Sequence, residues 1–177
     1  ACIMQLFLFV SEKNGLPPGQ KEIAHELINR ARALGVDIVL ATSKGAYLES
    51  HDERFQKEVG KYYIKYEIVE DLLDIEADIL KVTLCDFKGA KENSYKAYQD
   101  LADQVQICVA GEIWLDIMAN GVNKGTAIHD IQDKLGITYE ETMVFGDNTN
   151  DVGMFAEAKY SYAVENAADE VKQQAAH

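Results

Sequence analysis

Positive charge is scarce in this sequence. Lysine and arginine number 17 against 30 aspartates and glutamates, which leaves a net charge of −13. Such a chain repels polyanions, which argues against nucleic acid or an anionic membrane surface as the main partner. A phosphate-bearing ligand would need a local cation. Long hydrophobic runs are missing too. The longest, "IMQLFLFV" at the start, is too short to span a bilayer and has no basic flank or small-residue cleavage site, so it reads as a buried strand. The three cysteines, Cys2, Cys85 and Cys108, are odd in number and far apart, and two lie in apolar stretches. They are expected to be buried free thiols in a reducing compartment, the cytoplasm. There is no internal repeat, no low-complexity tract and no glycine-rich phosphate loop of the GxGxxG or Walker type. The chain begins Ala1-Cys2-Ile3 without methionine, which fits either processing or a beginning outside this sequence.

What remains is enough for a core. Of the 177 residues, 47% are apolar, ample for one ordinary domain or two small ones. Strand-like and helix-like runs alternate, which favours an α/β or α+β architecture. After the turn-rich "NGLPPG", Ile23, Leu27, Ile28, Ala31 and Leu34 recur at helical spacing and stop at Gly35. "VDIVLAT" reads as a strand, residues 44–63 as polar and irregular or helical, then "YEIV" and "ILKVTLC" as strands. A polar helix follows around Asn93 to Gln104, and then the strands "VQICVA" and "IWLDIM". The pattern changes at Asn120-Gly121. Beyond it, Asn123 caps a helix with Ala127, Ile128, Ile131 and Leu135 along one face and Gly136 at its end. "TMVFGD", "NDVGMFAEA", "YSYAV" and "ADEVKQQAA" then read as strand, helix, strand and helix. The expected domains are residues 1–118 and 119–177. The tyrosines Tyr62, Tyr63 and Tyr66 read as packing on a half-buried strand.

Chemistry concentrates in "VFGDNTND". In a parallel α/β sheet, ligands bind where strands end, and Asp147 follows such a strand directly. Gly146 allows a sharp turn, and the helix beginning near Asn150 and Asp151 would offer amides to an anion. A carboxylate there suits Mg²⁺, which takes oxygen ligands and commonly bridges to a substrate phosphate. Lys124, in the first turn of the preceding helix, is placed to neutralise a phosphoryl group and to pair with Asp151. The plainer alternatives are helix-capping aspartates and a solvated lysine.

Taken together, "GVNKGTA" and "GDNTND" with a strand between them resemble the haloacid dehalogenase superfamily, and more closely its Cof-type phosphatases of sugar phosphates and nucleotides. "LPPGQKEIAHELINRARALGVDIVLATSKGAYL", "VEDLLDIEADILKVTL" and "GEIWLDIMANGVNKG" resemble the type IIB cap and the exit from it. The remainder resembles the second half of the Rossmann-like core. The resemblance thus implies an α+β cap followed by part of an α/β core. It implies Mg²⁺ as cofactor, Asp147 as metal ligand, Lys124 and Asp151 as catalytic residues, and Lys124 with Asn150 at the phosphate. Lys44, Tyr47, Glu112 and Trp114 are candidate substrate contacts from their positions in the cap. Relatives open with a strand ending in DxDGT, whose first aspartate accepts the phosphoryl group. Here the first aspartate is Asp37, and DxD does not occur. "LFLFVSEKNG" and "VLATS" can be set against the two early motifs, making Thr42 a phosphate-binding hydroxyl, but Val10, Ser11 and Glu12 then replace the triplet. Both runs are therefore assigned to the cap and Thr42 to an ordinary strand end.

The expected function is a magnesium-dependent phosphatase of small phosphorylated metabolites, with the N-terminal half of its core absent from this chain. Alone it should be inactive and should associate with the missing segment or with itself. The alternatives are a noncatalytic relative that keeps the Lys124 and GDxxND elements, and an unrelated nucleotide-binding α/β domain.

Overall fold

The computed structural model describes residues 21–177. The expected strand "IMQLFLFV", the turn "NGLPPG" and Cys2 lie outside these residues. The chain divides into two compact units, residues 1–120 and 121–177.

In the first unit, helix α1 (Lys21–Leu34) leads through Gly35 into strand β1 (Asp37–Thr42). Gly35 takes φ +65°, a left-handed conformation that favours glycine, and the Val36 amide reaches back to the Ala31 carbonyl at 3.1 Å. Strand β2 (Ala46–Leu48), helix α2 (Glu53–Val59), strand β3 (Glu67–Ile68) and strand β4 (Ile79–Cys85) follow. Helix α3 (Ser94–Tyr98) then precedes the hairpin of β5 (Val105–Val109) and β6 (Trp114–Ala119). The six strands form one sheet in the order β3-β2-β1-β4-β6-β5. All pairings are antiparallel except β2 with β3. "ILKVTLC" and "IWLDIM" are neighbours in it, as expected.

Alternation along the strands divides the apolar residues between two faces. Ile38, Leu40, Val82, Leu84, Leu115 and Ile117 join Leu27 and Ile28 of α1 in one cluster. Val39, Leu48, Cys85 and Trp114 join Phe55 and Val59 of α2 in another. Burying each such large side chain contributes about 1.5–3 kcal/mol. Tyr98 fastens α3 to α1 by donating its hydroxyl to the Leu27 carbonyl at 2.8 Å. Strand β2 is absent from the sequence reading of residues 44–63. It exists because Thr42 closes a tight turn: its amide donates to the Gly45 carbonyl at 2.9 Å, and its hydroxyl oxygen accepts the Lys44 and Gly45 amides.

The second unit runs helix α4 (Lys124–Leu135), strand β7 (Met143–Gly146), helix α5 (Val152–Ala156), strand β8 (Tyr160–Ala163) and helix α6 (Asp169–Lys172). Asn123 caps α4 with a reciprocal capping box, and Gly136 ends it at φ +66°. Among the described residues β7 and β8 pair in parallel as a two-stranded sheet. "VDIVLAT" and "TMVFGD" therefore lie in different sheets. Val144, Met154, Phe155, Ala158 and Val171 make this unit's core. The apolar stripe of α4 is less buried than its periodicity suggests: Ala127 is buried, but Leu135 is 66% exposed. Two strands offer too little surface to cover all of a helix of this length. On β7 itself Met143 and Phe145 stand 53% and 59% exposed, opposite the buried Val144.

Candidate active site

The features singled out in "NKGT" and "GDNTND" converge in the second unit. The Asn123 side chain accepts the Gly125 and Thr126 amides at 2.9 and 3.0 Å, which fixes the first turn of α4 and the origin of Lys124. Two close backbone approaches bring the partners together. A methyl group at Gly125 would lie 2.4 Å from the Gly153 carbonyl oxygen, so α4 and α5 meet there only because position 125 has no side chain. A methyl at Gly146 would lie 2.5 Å from Asp151 Cβ and 2.9 Å from the Phe155 ring. Gly146 has no positive φ. It serves close packing at the end of β7, whereas the sequence suggested a backbone turn.

The buried ammonium of Lys124 donates to Asp151 Oδ1. Oδ2 of the same carboxylate accepts the amides of Asp147 at 2.9 Å and Asn148 at 3.1 Å. The Asp151 side chain is 2% exposed. Burial by itself raises the pKa of such a carboxyl, but the bonds from Lys124, Asp147 and Asn148 outweigh it and hold Asp151 below its ordinary value. Asp151 thus ties the loop after β7 to the start of α4. Four amides of this loop are occupied from within: those of Asp147 and Asn148 by Asp151, that of Thr149 by the Asn148 side chain, and that of Asp151 by the Asn148 carbonyl. A charged ligand here would meet the Lys124 ammonium rather than these four amides.

Asp147 and Asn150 are exposed beside this pair. A hard-oxygen donor such as the Asp147 carboxylate fits Mg²⁺, which binds through one or two carboxylates and keeps several waters. Among the described residues no group of three or more His, Cys, Asp or Glu side chains is arranged to hold a metal. A metal held by Asp147 would therefore need further ligands.

The four candidate substrate contacts lie in the first unit and do not converge. Lys44, in the turn after β1, donates to the Glu76 carbonyl at 2.8 Å. Tyr47 packs on the α1 face of the sheet and Trp114 on the α2 face. Glu112 is exposed just before β6, and its carbonyl accepts the Ala90 amide at 2.8 Å. β1 runs antiparallel to β4 and β4 to β6, so Lys44 stands at one end of the sheet and Trp114 at the other. Thr42 is fully buried in its turn.

A polar group escaped the sequence reading. Lys81 on β4 donates to Asp116 Oδ2 on β6 at 3.0 Å, and the Thr83 hydroxyl donates to Asp116 Oδ1 at 2.7 Å. Burial works against the Lys81 charge, yet Asp116 and the adjoining Tyr63 hold its pKa above the ordinary value. The available signal was a charged residue interrupting each of two apolar strands, "ILKVTLC" and "IWLDIM". Of the described cysteines, Cys85 is buried and Cys108 half-buried. Burial pushes the Cys85 thiol up to about 12, so it is inert at neutral pH.

The haloacid dehalogenase-like hydrolase family matches residues 12–177. The 5-amino-6-(5-phospho-D-ribitylamino)uracil phosphatase YbjI of Escherichia coli is 28% identical over 138 residues, 77% of this chain and 51% of that protein. The structure of TM0651 from Thermotoga maritima is similar with a TM-score of 0.76 at 25% identity, covering 92% of this chain and 61% of the other. The subclass IIB sugar phosphatase BT4131 shares the fold, with a TM-score of 0.73 at 20% identity over 92% of this chain and 61% of its own. The chain thus spans about half the length of the curated relative it matches and somewhat more than half of the solved structures.

Proposed function

Because this chain belongs to the haloacid dehalogenase-like hydrolase family, we propose that it forms the cap and the second half of the core of a magnesium-dependent phosphatase of small phosphorylated metabolites. The observation that carries this reading is the buried Lys124–Asp151 pair beside the exposed Asp147 at the end of β7. The family and the phosphate-ester substrates in the names of YbjI and the sugar phosphatase support it.

Lys124 presents an ammonium whose position Asp151 fixes. Its remaining N–H donors neutralise the phosphoryl oxygens as charge develops in the transition state, without reorganising at that moment. Asp151 has both oxygens engaged and acts on Lys124 and the loop, not on the substrate. Asn150 approaches the phosphate from the same loop. Asp147 would ligate Mg²⁺, which when bound supplies further charge neutralisation at the phosphoryl group. The aspartate that accepts the phosphoryl group lies, in this reading, on an N-terminal core segment outside these 177 residues. The exposed Met143 and Phe145 of β7 support the same division, since a core strand exposes an apolar face when its covering elements are elsewhere. Residues 1–118 form the cap and 119–177 the core half. The buried Cys85 thiol supports a cytoplasmic setting. No helix among the described residues is long and apolar enough to cross a membrane.

The test is reconstitution. The chain is produced alone and together with an N-terminal segment bearing DxDGT, and phosphate release from a panel of sugar phosphates and nucleotides is followed with Mg²⁺ and with a chelator. Turnover only in the reconstituted, Mg²⁺-supplied sample is expected. Robust hydrolysis by the chain alone would refute the division of the core, and a well-folded reconstituted protein without turnover would favour the noncatalytic alternative.

A further inference from the structure

The pair Asn120-Gly121 serves neither the phosphoryl chemistry nor the core of either unit. It forms an exposed turn after β6, where one compact unit ends and the next begins. Asparagine is a thermally labile side chain. Its weakness is intramolecular: the backbone nitrogen of the following residue attacks the side-chain carbonyl and closes a cyclic imide. Glycine in that following position leaves the nitrogen unshielded, because it has no Cβ.

The fold blocks this reaction at other asparagines and leaves it open here. After Asn93 the Ser94 amide donates to Asp86 at 3.1 Å, and after Asn148 the Thr149 amide donates to the Asn148 side chain at 2.7 Å. After Asn150 the Asp151 amide donates to the Asn148 carbonyl at 2.9 Å, and after Asn166 the Ala167 amide donates to the Val164 carbonyl at 2.9 Å. Among the described residues nothing accepts the Gly121 amide. A methyl built on Gly121 would meet no atom within 4 Å, so the space beside the nitrogen is open. One restraint acts on Asn120 itself. Its side-chain amide donates to the Asp103 carbonyl at 2.9 Å, an exposed hydrogen bond of modest net strength.

We infer that Asn120-Gly121 is a self-modification site, at which the asparagine converts to aspartate and isoaspartate and so releases the exit of β6. The Gly121 nitrogen bonds to Asn120 Cγ, and its proton passes to solvent. The bond from Cγ to Nδ2 breaks, and ammonia leaves with a proton from solvent. Water then opens the imide. Attack at Cγ gives aspartate, and attack at the Asn120 main-chain carbonyl gives isoaspartate, whose backbone runs through Cβ and Cγ. Either product has lost the N–H that the Asp103 carbonyl accepted and carries a negative charge in its place. Isoaspartate also adds a backbone carbon directly before Gly121, whose carbonyl accepts the Thr126 hydroxyl at 3.1 Å. The same hydroxyl accepts the Asn123 amide at 3.0 Å in the cap of α4. The modification therefore falls between two fixed points of the chain, the Asp103 bond and the α4 cap. It does not depend on the phosphatase reading.

The experiment uses the 177-residue chain carrying Asn14→Gln, which removes the other Asn-Gly pair. The chain is incubated at mildly alkaline pH in heavy-oxygen water, digested and mapped by mass spectrometry beside the free peptide of residues 117–122. Solvent oxygen is expected at position 120, as a mixture of aspartate and isoaspartate. The folded chain should react within about tenfold of the free peptide, a barrier difference of about 1.4 kcal/mol at most. Asn93, Asn148, Asn150 and Asn166 should lag behind Asn120 by about tenfold or more. Asn120→Gln keeps an amide donor and should remain folded while the label at this position disappears. The modified chain is separated by its added charge on an anion exchanger. Amide hydrogen exchange should be faster in it at Val105 and Ala119, the register pair next to the Asp103 bond. A folded chain that reacts more slowly than this range, or no faster than at the other four asparagines, overturns the inference. So does label that enters the same peptide of Asn120→Gln at an unchanged rate. Unchanged exchange at Val105 and Ala119 in the modified chain overturns the release of β6.

Discussion

Asp151→Ala is the most informative single perturbation of the second unit. The carboxylate is 2% exposed and takes the Lys124 ammonium on one oxygen and two backbone amides on the other. Removing it leaves a buried cation unpaired and two loop amides without their acceptor. Breaking a buried ion pair from one side costs about 3–5 kcal/mol. For a unit this small, each kcal/mol moves the melting temperature by about 4–8 °C, so the β7–β8 unit should melt well over 10 °C lower. Trp114 is the chain's one tryptophan and lies in the other unit, so its fluorescence does not report this change. Hydrogen exchange at residues 144–146 and 161–163 does. The two-partner origin has a second signature. Lys124→Met with Asp151→Leu should cost less than the sum of the single changes, with a coupling of about 0.5–3 kcal/mol. Acid provides a third. The Asp151 pKa is depressed in the folded state, so its contribution is complete above the ordinary carboxylate value of about 4 and is lost as pH falls through the folded value. Wild type should therefore lose protection at these amides in acid more steeply than Asp151→Ala. A loss below about 1 kcal/mol in Asp151→Ala, the range of a surface ion pair, would refute the reasoning.

Gly125→Ala should destabilise the second unit by about 1–3 kcal/mol, because the new methyl meets the Gly153 backbone and not a movable side chain; thermal melting of the variant beside Gly136→Ala separates this clash from a helix-end effect. In the reconstituted enzyme Lys124→Ala should lower kcat strongly with little change in melting of the first unit, and an unchanged kcat would return Lys124 to the class of ordinary lysines. Asp147→Asn keeps shape but weakens metal coordination, so activity should fall and should recover partly at raised Mg²⁺; full activity at ordinary Mg²⁺ would remove Asp147 from the site. Met143→Ser with Phe145→Ser should reduce self-association of the isolated chain in sedimentation velocity, since both side chains stand exposed on one face of β7.

The residues of the candidate active site lie within one local stretch. A capped helix, a short strand, a glycine and a polar loop follow one another from Asn123 to Asp151, and helical periodicity, capping chemistry and strand-end logic each act over a few residues. The Lys124–Asp151 pairing is therefore legible in the amino-acid sequence. The same local rules do not reveal why Gly146 and Gly125 are glycines, because the atoms that exclude a side chain there belong to Asp151, Phe155 and Gly153. They also miss β2, whose three residues are a strand only beside β1, and they overestimate the burial of Leu135, which depends on how much sheet lies beneath α4. Most of all they single out Lys44, Tyr47, Glu112 and Trp114, which the fold scatters over two ends and two faces of a sheet, while passing over Lys81 and Asp116. Those two residues are 35 positions apart and become neighbours through antiparallel pairing across β4 and β6. Composition and periodicity determined most of the elements and their order, β2 apart; only the strand order and register decided which polar side chains share a face, because a single-residue shift in register turns every side chain of a strand to the other side.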